Sequence, residues 1–236
     1  TTDPSGNITE ALHQIPITPG GAIDATNIGV MAGTRIEGLT FAENLNGSPT
    51  LVAMDHATTD PTTGEVLAQL RSVSTANAST AALSEPGMVA TVHGLGSGND
   101  LVSGRPVLFA SDGQSVFRGS AVNLETDPAS GVTAVEALRA ADFRPLAGSD
   151  LDGRLYFVAD VAGAARFDQL ISIDVDAGNR SSIQNSMILH GEIPDTDGTG
   201  LAEVSSIAWE QGPLGAQLWA YRAGGVGNDL VQLNPD

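Results

Sequence analysis

The sequence predicts an all-β chain made of repeated four-stranded antiparallel units. Three observations predict it. Short apolar motifs recur along the chain at intervals of about fifty residues. Several copies alternate apolar and polar side chains, the pattern of a half-buried strand. Asp-Pro and Gly clusters, which suit turns and not ladders, fall between them.

The most regular element, termed strand B, reads Leu51-Val52-Ala53-Met54-Asp55, Val107-Leu108-Phe109-Ala110-Ser111-Asp112, Leu155-Tyr156-Phe157-Val158-Ala159-Asp160 and Leu218-Trp219-Ala220-Tyr221-Arg222. Its copies start at residues 51, 107, 155 and 218, spaced by 56, 48 and 63 residues. Strand C follows each B, at 66–70, 116–122, 169–174 and 229–234, and an extra copy at 11–15 has no B before it. Strand A precedes each B. Ile36-Glu37-Gly38-Leu39-Thr40-Phe41 and Val204-Ser205-Ser206-Ile207-Ala208-Trp209 are its clear copies; 92–95 and 143–146 are degenerate ones. A weaker strand D lies between C and the next A, as at 183–189. Turns are expected at 3–6, 59–64 and 126–131, each with Asp-Pro followed by Gly, and a tight hairpin at 111–114.

The order A-B-C-D, four antiparallel strands per unit, is that of a β-propeller blade. A tandem β-sandwich array is the alternative. Residues 1–236 then form a single propeller or a propeller segment. Its units are 1–33 (C-D only), 34–90, 91–141, 142–202 and 203–236 (A-B-C only). A closed ring needs a whole number of blades. The expectation is therefore a longer parent chain, or ends that complete one another in a neighbouring copy.

From about residue 34 onward the chain resembles the blades of secreted bacterial propellers. The resemblance rests on Ile36-x-Gly38-Leu39-x-Phe41 leading to Leu51-Val52-Ala53-Met54-Asp55, and on Gln169-Leu170-Ile171-Ser172-Ile173-Asp174-Val175-Asp176-Ala177-Gly178. It implies the propeller fold and carries almost nothing about function. Residues 92–97 and 143–149 depart from it.

Composition narrows the setting. Asp and Glu number 28 against 10 basic residues, all Arg, for a net charge of −18. Such a chain is repelled by polyanions, which disfavours nucleic acid and anionic membranes as partners. The absence of Cys excludes disulfides, thiolate metal sites and Cys nucleophiles. No apolar run reaches the length of a membrane span. A Lys-free, Cys-free, Gly/Ser/Thr/Asp-rich chain fits an extracellular or cell-surface location.

Candidate sites are sparse. Asp195-Thr196-Asp197-Gly198-Thr199-Gly200 alternates Asp with Gly, so a tight loop could aim the oxygens of Asp195, Asp197 and Thr199 at a hard cation such as Ca²⁺. Its plainer reading is an acidic turn, and it lacks the downstream Glu of an EF-hand. Asp150 and Asp152, before Gly153, are a weaker copy, and Asp174, Asp176 and Asn179 suit a C–D turn. His13, His56, His93 and His190 show no metal-ligand spacing. No Gly-x-Ser-x-Gly elbow occurs, and Gly94-Leu95-Gly96-Ser97-Gly98 has no following Lys to make a phosphate loop. Asn7, Asn77 and Asn179 head glycosylation sequons. Tyr156, Phe157, Trp209, Trp219 and Tyr221 gather in the last third, and strand alternation assigns them to the core, with a carbohydrate-stacking platform as the sharper alternative.

The expectation is a structural or adhesive module of a larger surface, matrix or filament protein, its partners other protein chains or further repeats of the same parent. The alternatives are a glycan-binding propeller and a metal-dependent propeller hydrolase. No catalytic set assembles from the sequence. If Asp195 and Asp197 bind Ca²⁺, a hundredfold excess over the dissociation constant adds about 2.7 kcal/mol of stability. A melting temperature indifferent to millimolar Ca²⁺ and to chelator overturns that site.

Overall fold

The computed structural model describes residues 10–14, 25–42, 49–86, 88–89, 94–99, 106–111, 115–120, 123–131, 135–144, 153–161, 169–175, 188–193, 203–212, 215–223 and 229–234. These residues are strands and short connections, with no helix among them. The strands form five small sheets, and every pairing is antiparallel.

Sheet one is β1 (Glu10–Gln14) and β2 (Thr26–Met31). Sheet two runs β3 (Ile36–Ala42), β4 (Thr50–Thr59) and β5 (Val66–Val73). Its fourth position is shared by β6 (Thr80–Ala82) and β7 (Met88–Val89), both paired to β5. Between these two pieces Ser84 takes over. Its Oγ accepts from Leu70 N at 3.0 Å, and its carbonyl accepts from Gln69 Nε2 at 2.9 Å. Sheet three follows the order β8 (Gly94–Asn99), β9 (Pro106–Ser111), β10 (Ser115–Ser120) and β11 (Asn123–Gly131). Sheet four is β12 (Val135–Arg144), β13 (Gly153–Val161), β14 (Gln169–Val175) and β15 (Ile188–Glu192). Sheet five is β16 (Glu203–Gly212), β17 (Gly215–Ala223) and β18 (Asp229–Leu233).

The recurring B and C motifs fall on adjacent strands of these sheets. B gives β4, β9, β13 and β17; C gives β1, β5, β10, β14 and β18. Three readings need correction. The degenerate A strands have other bounds than expected: 94–95 fall in β8 (Gly94–Asn99), and 143–144 are the end of β12 (Val135–Arg144), which straddles the 141/142 unit boundary; the rest of 92–95 and 143–146 lies outside the described residues. The D strand of sheet four is Ile188–Glu192, which shares 188 and 189 with the expected 183–189 and runs on beyond it, while 183–187 lie outside the described residues. Residues 126–131 are no interstrand turn but the second half of β11. There Phe117 pairs with Thr126 and Ser115 with Gly131, so the Asp127-Pro128 stretch is accommodated as extra residues in an edge strand, where Pro leaves no ladder hydrogen bond unmade. Residues 3–6 and 112–114 lie outside the described residues.

The sheets stand in file, each packing its faces on its neighbours. Side chains alternate across β4. Leu51 and Ala53 join Met31, Val73 and Ala78 between sheets one and two. Val52 and Met54 join Ala42, Leu70, Leu95 and Leu108 between sheets two and three. Tyr156, Val158, Ile207, Leu218 and Ala220 fill the space between sheets four and five. Burial on both faces explains the unbroken apolar runs of the B motif. The first strands also meet one another in order, β3 with β8, β8 with β12, and β12 with β16. Between β3 and β8, Ser97 Oγ donates to the Phe41 carbonyl and accepts from Thr40 Oγ1. The Gly-rich segment 94–98 is thus a strand at this close seam.

Two turns of sheet two share a design. Gly64 N donates to the Asp60 carbonyl at 2.9 Å, and Ala78 N to the Ser74 carbonyl at 2.8 Å. The fifth residue of each is left-handed, Gly64 at φ 75° and Ala78 at φ 59°. Asp60 Oδ1 accepts from Thr62 N and Thr63 N, which holds its carboxyl below the ordinary carboxylate range. The Ala78 turn is where sheet one seats. A Cβ on Gly29 of β2 would stand 2.6 Å from the Asn77 carbonyl oxygen. Replacing Gly29 by Ala should therefore force β2 off this turn and cost roughly 1–3 kcal/mol. Denaturant unfolding of the variant checks this, and an unchanged midpoint would refute the close seating.

Candidate functional site

Two buried polar constellations stand out, and each is created by a β-bulge. In sheet two, Ile36 pairs with Asp55 but Gly38 pairs with Met54, leaving an extra residue in β3. Asp55 pairs with Gln69 and Thr58 with Leu67, leaving an extra residue in β4. Both irregularities meet at Asp55, which is 1% exposed. A bulge leaves ladder amides without strand partners. Here the carboxylate supplies them: Oδ1 accepts from Arg35 N at 2.8 Å and Ala57 N at 2.9 Å. Oδ2 accepts from Arg71 Nε at 2.6 Å. Adjacent His56 is buried too, its amide donating to the Arg35 carbonyl. A bulge near the start of the first strand recurs in sheet four, between Val135 and Ala137, and in sheet five, between Val204 and Ser206.

The second constellation faces the space between sheets four and five. Leu170 pairs with Gly191 and Ile171 with Leu189, so His190 is the extra residue of a bulge in β15. Gly191 adopts φ 126°, which favours glycine. The bulge brings His190 Nε2 to 2.7 Å from Ser172 Oγ, and the imidazole stacks on Tyr156 with ring centroids 5.5 Å apart. Ser172 lies directly opposite Tyr156 in the ladder. Trp209 of β16 meets Tyr156 edge to face at 5.1 Å. A hydroxyl hydrogen-bonded to imidazole is the first half of a nucleophile–base pair. Ser172, however, is 0% exposed, beneath a fully buried Tyr156, so no substrate atom reaches its oxygen in this arrangement. Among the described residues, the buried Tyr156 hydroxyl and Gln169 Nε2 find no hydrogen-bond partner. This chemistry orders the interface between two sheets.

Sequence reading foresaw neither cluster, although both have a trace in the sequence. Asp55 closes a B motif, and Ser172 interrupts an apolar C motif. The Ca²⁺ candidates Asp195, Asp197 and Thr199, with Asp150 and Asp152, lie outside the described residues, as do His93, Asp176 and Asn179. Asp174 is in β14 and His13 is exposed in β1. Among the described residues no three His, Asp or Glu side chains converge as a metal site. Tyr156 and Phe157 are fully buried, as the alternation predicts, while Trp209, Trp219 and Tyr221 are half-buried.

No protein-family model matches the sequence, and no curated protein matches it. Its fold has a solved counterpart. A chain from the crystal structure of a nidogen/laminin complex superposes with a TM-score of 0.55 at 14% identity, over 96% of this chain and 72% of that one. The likeness supports a propeller-like arrangement of the sheets. No helix among the described residues is long and apolar enough to cross a membrane.

The two constellations differ in expected weight. Asp55→Ala strands Arg71 and two bulge amides, and should cost about 3 kcal/mol or more. Ser172→Ala removes one hydrogen bond and should cost about 1 kcal/mol. Paired denaturant melts rank them, and the reverse order would contradict the structural role given to Asp55.

Proposed function

We propose that this chain is a structural or adhesive module of an extracellular surface or matrix protein, built as four-stranded propeller blades. It acts by binding other protein chains. The carrying observation is the file of sheets, each burying a face on the next, with the first strands side by side. Sheets packed on one another in this way hold their exposed edges and faces in fixed relation, which suits protein contact. The similar chain from the nidogen/laminin complex, by its name part of a protein–protein assembly, supports the reading. So does the net charge of −18 without a single Lys, which favours solubility outside the cell and disfavours polyanionic partners. Ca²⁺ held by Asp195, Asp197 and Thr199 would brace the same module. A glycan-binding role is the second reading, favoured by half-buried Trp219 and Tyr221 on one face of β17.

The test is location and retention. Antibodies raised against the purified chain should label intact, unpermeabilised source cells, and the antigen should stay with the washed surface or matrix fraction. An antigen found only after cell lysis, in the soluble fraction, overturns the proposal.

A further inference from the structure

The two turns of sheet two that share a backbone design present different surfaces. In the turn between β4 and β5 the side chains serve the turn itself. Asp60 Oδ1 accepts from Thr62 N and Thr63 N. Thr63 Oγ1 donates to Glu65 Oε2 at 3.2 Å and accepts from Glu65 N at 3.3 Å. Asp60 and Glu65 make this turn acidic.

The turn between β5 and β6, Ser74-Thr75-Ala76-Asn77-Ala78-Ser79, is uncharged in a chain of net charge −18. Its backbone closes on itself. Ser74 N donates to the Ser79 carbonyl and Ala78 N to the Ser74 carbonyl, both at 2.8 Å. Ser74 Oγ accepts from Ala76 N at 3.3 Å, and Asn77 Oδ1 accepts from Ser79 N at 3.1 Å. Among the described residues, neither Asn77 Nδ2 nor Ser79 Oγ takes part in a hydrogen bond. Both residues are exposed.

Packing fixes how this turn is presented. Ala78 adopts φ 59°, where Gly is the easier residue. Its methyl group explains the choice: Ala78 is 0% exposed, packed with Met31, Leu51, Ala53 and Val73 between sheets one and two. The Asn77 carbonyl faces Gly29 of β2, too close to admit a Cβ there. The backbone of Asn77 is thus held against sheet one, and its carboxamide is left at the surface.

Asn77-Ala78-Ser79 is the acceptor pattern for N-glycosylation, with Ala and not Pro in the middle. That chemistry needs the carboxamide nitrogen and the hydroxyl two residues on, and the fold uses neither. The other two sequons, at Asn7 and Asn179, lie outside the described residues. We propose that Asn77 carries an N-linked glycan, which rests on the extracellular location above, since the pattern is read in exported chains. The donor is a sugar joined through its anomeric carbon to a phosphate carrier. Asn77 Nδ2 forms the new C–N bond and the anomeric C–O bond breaks. The carrier leaves as a phosphate with the electron pair, and one amide proton passes to a base of the transferase. The glycan stands on the uncharged turn beside the seam of sheets one and two, and directs protein partners to other surfaces.

Mass spectrometry of Asn77 peptides, from the chain recovered in the washed surface fraction of source cells, tests this. Asn77 should carry the added mass of a sugar. Ser79→Ala should abolish that mass and leave the melting temperature unchanged, because the Ser79 hydroxyl supports no bond of the turn. Ser79→Thr should retain it. Asn77 recovered bare from the surface-retained chain overturns the inference and leaves the module reading intact. A sugar mass that survives Ser79→Ala also overturns it. An antigen confined to the soluble fraction after lysis, with Asn77 bare, overturns both.

Discussion

The structure depends on burying both faces of sheets too small to stand alone. A sheet of three or four short strands with a single covered face has little apolar area to set against the entropy of ordering its chain. Stacking removes the difficulty for each sheet between two others. The middle strands show the result: β4 is buried continuously from Leu51 to His56, and Leu155 to Val158 of β13 are fully buried. With 4% aromatic content, interdigitation falls largely to Leu, Ile, Val, Met and Ala, which lets neighbouring sheets come close. Gly96 and Ser97 at the seam between β3 and β8 serve the same closeness.

Regular ladders would conflict with this packing wherever the strands must turn or splay, and bulges resolve the conflict. The bulge at Asp55 strands amides inside the protein, and a carboxylate anchored by Arg71 takes them up. At His190 an imidazole is swung onto Ser172 and Tyr156. Both clusters resemble catalytic furniture in residue type. Their burial assigns them to the scaffold, since hydrogen bonding of buried polar groups is a condition of stability before it is a source of chemistry.

How much of this was legible in the sequence depended on burial. B strands announce themselves because both faces are covered, so the apolar run is unbroken. The first strands are weaker signals. β8 reads Gly-Leu-Gly-Ser-Gly-Asn, and Ala-rich β12 carries Glu136, Arg139 and Asp142 within its run; packing against neighbouring strands, not propensity, makes them strands. The Asp127-Pro128 segment carries genuine turn chemistry, and only its edge position lets it lie in a ladder. Bulges leave almost no trace in one sequence, because an extra residue shifts every later side chain by one without changing composition. The residues of the polar clusters are visible as single interruptions at Asp55 and Ser172, but their convergence is not, while the acidic run at 195–200 that did attract notice lies outside the described residues.

The rim of sheet two carries a different kind of consequence. Its fourth strand is split into β6 and β7, and Ser84 satisfies the gap with its own hydroxyl and carbonyl. The outermost position of a unit thus tolerates irregular chain while β3, β4 and β5 stay paired inside it. Insertions and deletions arising there are buffered from the core. The spacing between units is free to differ, as the intervals of 56, 48 and 63 residues do, because each unit makes its main contacts with its immediate neighbours.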